Sequence, residues 1–189
     1  MATLLQKYQL PERYILSVGT LQERKNIKLL IKAYQHLPKT QQLPIVIVGN
    51  GGNYKKEVQV LIKKMHLENL IYWITDLESD ETLQALYQKA TLLVYPSFYE
   101  GFGLPVVEAL LSKTPVITAN TSALKEAGGP HSLYVSPTDE KELAETIKQV
   151  LEQPRLAQRM SEKGYEYAHE KFHPQQLSQQ LIDCYQEVI

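Results

Sequence analysis

A single cysteine, Cys184, in 189 residues excludes an intrachain disulfide and any zinc site built on cysteines. No apolar run approaches the roughly 18 residues that cross a bilayer. The opening MATLLQKYQL has neither the basic nor the apolar region of a secretory leader. There is no surplus of charge of either sign: 20 Lys and Arg stand against 21 Asp and Glu, a net of -1, which offers no overall attraction to nucleic acid or to anionic lipid. These absences point to a soluble, cytoplasmic chain with no nucleic-acid or membrane partner. No low-complexity linker or internal repeat divides the sequence, and its length suits one ordinary domain, 1–189.

Three further patterns are absent or fail in context. No Gly-Lys-Ser or Gly-Lys-Thr occurs, which excludes a P-loop. The run GNGGN at 49–53 has two of the three glycines of a dinucleotide fingerprint, but Tyr54 stands at the third. It therefore reads as a tight turn with some ligand contact, not a nicotinamide site. HEKFH at 169–173 matches the zinc-protease spacing. His173 precedes Pro174, however, which biases it away from helical geometry, so the two imidazoles are not expected to share a helix face. No aspartate cluster suggests a metal, and His36, His66 and His131 are scattered as surface or helix-end residues.

What is present is alternation. Short β-rich runs recur at 14–18, 44–48, 70–74, 91–95, 115–119 and 132–136, mostly continuous in apolar residues, the mark of strands buried on both faces. Between them lie NIKLLIKAYQHL, YKKEVQVLIKKMHL, DETLQALYQKA and DEKELAETIKQVLEQ, with apolar residues three and four apart. The expectation is α/β: a doubly wound, Rossmann-like parallel sheet of about six strands with helices on both faces. After the sixth strand, PRLAQRMSEKGYEYAHEKF and PQQLSQQLIDCYQEVI predict a helical C-terminal tail.

In such a sheet, ligands bind at the turns that follow the carboxyl ends of the strands. The sequence offers GTLQERKN, GNGGN, TDLES, PSFYEGFGLP and NTSALKE as those turns. The first carries Gly19, Arg24 and Lys25 before a helix expected near Asn26. Cations are disfavoured at the positive end of a helix, so the pair is better explained by an anion held there, such as a phosphate. In the fourth, Gly101 and Gly103 let backbone approach a ligand, and a helix starting near Leu104 or Pro105 aims its positive end at the same space. Glu108, expected in that helix's first turn, can accept two hydrogen bonds from a vicinal diol such as ribose, or can serve only as a helix-end charge. Glu100 is a second hydroxyl reader.

The segments VGTLQERKN, SFYEGFGLPVVEAL, TPVITAN and SPTDEKELAETI, in this order and spacing, resemble the C-terminal, donor-binding domain of retaining GT-B glycosyltransferases, the large family that includes sucrose synthases and bacterial mannosyltransferases. The resemblance runs from about Tyr14 to the end. Glu100 and Glu108 match the family's Glu, seven residues, Glu signature.

The resemblance implies Glu108 on the ribose of a nucleotide-sugar and Glu100 near the transferred sugar. It places the backbone of Phe102, Gly103 and Leu104 beside sugar and diphosphate, Lys25 on the diphosphate, and the nucleobase against Thr75, Asp76 and Leu77. Thr20 stands where many members have Arg, leaving Arg24 as the candidate for the second cation; Lys113 replaces a usual glycine. Glu100, Lys25 and Arg24 are the candidates for catalysis. The donor is a nucleoside-diphosphate-sugar, with no separate cofactor and no metal. An N-terminal acceptor-binding domain has no counterpart here, so the chain is expected to be half of a hexosyltransferase. The alternative is a non-catalytic nucleotide-binding module of the same fold.

Overall fold

In the computed structural model, the described residues are 7–173 together with 175, 178, 182, 183, 185 and 186. Cys184 and most of the expected final helix at 174–189 lie outside them. The strands are β1 (Ile15–Val18), β2 (Ile45–Val48), β3 (Ile71–Ile74), β4 (Leu92–Tyr95), β5 (Val116–Ala119) and β6 (Leu133–Val135). Each begins one residue inside its expected run. All neighbours are parallel, in the order β3-β2-β1-β4-β5-β6, with Ile15 opposite both Ile45 and Leu92.

The helices are α1 (Ile27–Ala33), α2 (Asn53–Lys64), α3 (Asp80–Lys89), α4 (Leu104–Leu111), α5 (Ser122–Gly128), α6 (Glu140–Glu152) and α7 (Pro154–Lys171). Because successive strand residues face opposite ways, each strand feeds two cores. Ile15, Ile45, Leu92 and Ile117 pack with Leu30 of α1, Val58 of α2 and Ile147 of α6. Leu16, Val46, Leu93 and Val116 pack with Leu86 of α3, Leu110 of α4 and Leu124 of α5. Each fully buried aliphatic side chain contributes about 1.5–3 kcal/mol, which is why these runs carry no polar alternation.

Local signals set the helix ends. Asp139 caps α6, its carboxylate accepting from the amides of Lys141 and Glu142 at 2.9 Å each, and Ser79 caps α3 through the Thr82 amide at 3.3 Å. Two expectations are corrected. NTSALKE is not simply a turn, since α5 begins at Ser122. In addition, α4 begins at Leu104, so Glu108 falls past the first turn, which holds no acidic residue. A charge there gains little from the helix dipole, whose effect fades within one turn.

This strand order reverses direction between β1 and β4, and a crevice opens outside the carboxyl ends of two such strands. The turns that follow them hold Gly19 to Asn26 and Pro96 to Gly103.

Candidate functional site

The two turns at the crevice are fastened to each other by one buried side chain. Asn26 adopts the left-handed conformation, φ 55° and ψ 36°. Its Nδ2 donates to the carbonyls of Pro96 at 3.0 Å and Pro137 at 2.7 Å. The Phe98 amide donates to the Arg24 carbonyl at 2.8 Å. The turns after β1, β4 and β6 thus share one anchor, and Arg24 and Lys25 are carried on a short 3₁₀ turn, Glu23–Lys25, directly before it. The glycine-rich turn after β2 packs beneath them. Gly49 has φ 140°, and a Cβ there would lie 2.1 Å from the Gly19 carbonyl oxygen. Close backbone packing accounts for that glycine.

Arg24 and Lys25 do converge on an anion, and it is the chain's own Glu100. Lys25 Nζ donates to Glu100 Oε1 at 2.7 Å, and Arg24 Nη1 to Glu100 Oε2 at 2.6 Å. The Tyr95 hydroxyl donates to Oε1 at 2.9 Å and is itself hydrogen-bonded by Lys25. The Lys25 and Glu100 side chains are each only 9% exposed, whereas Arg24 is 30% exposed. Burial pushes the Glu100 pKa up, but the hydrogen bonds from Lys25, Arg24 and Tyr95 more than offset this and leave it below the ordinary carboxylate value. Burial, and then the adjoining Glu100 charge, push the Tyr95 pKa up, so its proton stays in place.

Glu108 stands apart from this cluster. Gly103, with φ 110°, precedes α4, and a Cβ there would lie 2.7 Å from Leu124 Cδ2. Glycine is therefore required where the chain turns into the helix. One turn on, Glu108 is exposed, and the hydroxyl of buried Tyr87 on α3 donates to its Oε2 at 2.8 Å. Burial, with the Glu108 charge and that hydrogen bond, raises the Tyr87 pKa, so Tyr87 acts as a fixed donor. The two residues open on a groove of about 470 Å³ between α3 and α4, lined also by Asp80, Gln84 and Leu111 and by no cation. Such a lining suits hydroxyl and N–H donors and repels phosphate.

The remaining candidates fall around these two centres. Thr75 and Asp76 are exposed and Leu77 half-buried directly after β3. Thr20 and Gly101 are exposed, and Leu104 is exposed at the start of α4. Phe102 is held by an edge-to-face contact with Phe172, ring centroids 5.4 Å apart. In HEKFH, His173 lies beyond the helix end, in keeping with the proline that follows it. Helix α7 ends at Lys171, yet the rings of His169 and His173 are neighbours, 5.4 Å apart. No group of three His, Cys, Asp or Glu side chains that could hold a metal occurs among the described residues.

Sequence reasoning missed Asn26, Tyr87 and Tyr95. Tyr95, at the carboxyl end of β4 directly before PSFYEGFG, could have been found from its position. Tyr87, one apolar position of a helical period, gave no sign of its hydroxyl's partner.

Fold and site together define a Rossmann-like ligand-binding domain of GT-B type, its charged turns meeting at the switch point of the sheet. The chain belongs to the family Glycosyl transferases group 1, whose profile matches residues 4–167. It is 35% identical over 185 residues to O-antigen chain mannosyltransferase B of Escherichia coli, covering 96% of this chain and 48% of that protein. Sucrose-phosphate synthase from Thermosynechococcus elongatus superposes with a TM-score of 0.81 at 26% identity, over 100% of this chain and 49% of that one. Anabaena Alr3699/HepE, solved in complex with UDP, shares the fold with a TM-score of 0.86 at 22% identity, over 98% of this chain and 52% of that one. The chain thus spans about half the length of these relatives.

Proposed function

We propose that the chain is the donor-binding half of a retaining hexosyltransferase and holds a nucleoside-diphosphate-sugar in the crevice outside β1 and β4. The observation that carries this is the convergence of Lys25 and Arg24 on one anion position at the switch point. The acid-lined groove runs along α4, the helix that follows the Pro96 to Gly103 turn. A diphosphate suits the first centre and a ribose diol suits the second.

In this reading Lys25, Arg24 and the amino end of α4 hold the diphosphate while negative charge develops on it as the bond to the sugar breaks. Fixed charges aimed at a developing anion supply the largest catalytic term in many enzymes. Glu108, held by Tyr87, accepts from the ribose hydroxyls. The turn at Thr75 to Leu77 lies against the base, and Glu100 accepts from hydroxyls of the transferred sugar. The acceptor attacks from the side the diphosphate leaves, which retains the anomeric configuration. An acceptor-binding domain forms the other wall of the cleft, and because transfer requires both substrates in reacting geometry, this chain by itself binds donor without transferring sugar.

Calorimetric titration with UDP and GDP, and with the corresponding nucleosides, tests the proposal. Binding of a diphosphate at up to millimolar concentration, with its nucleoside bound far more weakly, is expected. Equal affinities for nucleoside and diphosphate, or no binding, would contradict it.

A further inference from the structure

The site has an unusual economy of charge: the two cations read as phosphate ligands are already paired with a carboxylate. Both Glu100 oxygens are engaged, one by Lys25 and Tyr95 and the other by Arg24. A phosphate oxygen approaching Lys25 Nζ meets a carboxylate oxygen 2.7 Å from that nitrogen. Two anions sharing Lys25 and Arg24 in a half-buried place would repel each other strongly. The carboxylate therefore has to leave when the diphosphate arrives.

Its backbone permits this. Tyr99 is 66% exposed, and a Cβ built at Gly101 would meet nothing within 4 Å, so the residues on either side of Glu100 are not packed in. Once displaced, Glu100 has lost the donors Lys25, Arg24 and Tyr95 and has oxygens free to accept from others. A bare nucleoside diphosphate offers it none, whereas a hexose attached to the diphosphate offers several hydroxyls.

We propose that Glu100 is a specificity-determining residue that acts as an internal competitor for the diphosphate. It pairs with Lys25 and Arg24, is displaced by the diphosphate, and gains new donors in its displaced position only when a sugar is attached. This rests on the donor-binding reading above. Its consequence is selection of the sugar-bearing donor over the bare diphosphate. Once the sugar has been transferred, Glu100 returns to its cations and expels the diphosphate product. The geometry predicts that Glu100→Gln raises diphosphate affinity.

The test is calorimetric titration of the wild-type chain and Glu100→Gln with UDP, GDP, UDP-glucose and GDP-mannose. Glu100→Gln should bind the better of the two bare diphosphates about tenfold more tightly, as expected when a charged competitor is made neutral. The matching sugar ester should gain less or lose, so that the ratio of donor to product affinity falls. A merely structural role predicts parallel losses for both ligands, and parallel losses or an unchanged diphosphate affinity overturn the inference while leaving the donor-binding reading intact. Failure of every ligand to bind the wild-type chain overturns both. A second measurement needs no variant. In wild-type chain carrying ¹³C-labelled glutamate, the Glu100 carboxyl resonance should move on addition of the diphosphate that binds and stay in place with its nucleoside. No movement at saturating diphosphate would also overturn the inference.

Discussion

Tyr87→Phe removes a single hydroxyl and leaves the ring that packs beneath α4, so it isolates the 2.8 Å hydrogen bond to Glu108. A hydrogen bond to a charged group contributes about 1.5–3 kcal/mol. Glu108 is exposed, however, and water can take the vacated oxygen, which places the effect nearer about 1 kcal/mol, or about fivefold in affinity. The loss arises because the carboxylate is no longer held in the orientation that a cis-diol requires. It should therefore appear with a ribonucleoside diphosphate and be almost absent with its 2′-deoxy analogue. Glu108→Gln, which removes the charge itself, should weaken the ribonucleotide by about tenfold or more on the same reasoning. Calorimetry with both nucleotides on wild type and both variants reads this directly. Equal losses for ribo- and deoxyribonucleotide would refute the assignment and return Glu108 and Tyr87 to a purely structural pairing.

Lys25→Ala should weaken nucleoside diphosphate binding far more than nucleoside binding in the same titrations, and equal losses would remove Lys25 from the phosphate position. Asn26→Ala breaks two hydrogen bonds, a buried one to Pro96 and a partly buried one to Pro137, and puts a residue that disfavours it in the left-handed conformation. It should destabilise the fold by about 2–3 kcal/mol in chemical denaturation, and a loss below about 0.5 kcal/mol would contradict its role as the anchor of the three turns.

The sheet was legible because strands buried on both faces leave unbroken apolar runs, and PIVIV and TLLVY could be little else between helical periods. Helix α5 was not, since SALKEAG is short, ends in glycine and lacks the length over which a 3.6-residue period shows. The position of Glu108 depended on one residue of helix start, the detail that patterns fix least well. Cations before a helix start call for an anion, but a sequence does not say which anion, and in the structure Arg24 and Lys25 pair with Glu100. Glu100 lies 75 residues from Lys25, and only the β1–β4 neighbourhood of the folded sheet brings them together. The hydroxyl contacts of Tyr87 and Tyr95 were hidden for a similar reason: each residue serves the apolar pattern with its ring and the site with its oxygen.

The central claim is that the turns after β1, β3 and β4 form one nucleotide-sugar site. Backbone amide shift mapping by NMR, with UDP-glucose and GDP-mannose titrated into the isotope-labelled chain, tests it most directly. Perturbations should cluster at residues 19–26, 75–77 and 100–108. Perturbations centred on α2 or α6 instead, or none at millimolar concentrations of either ligand, would contradict the account.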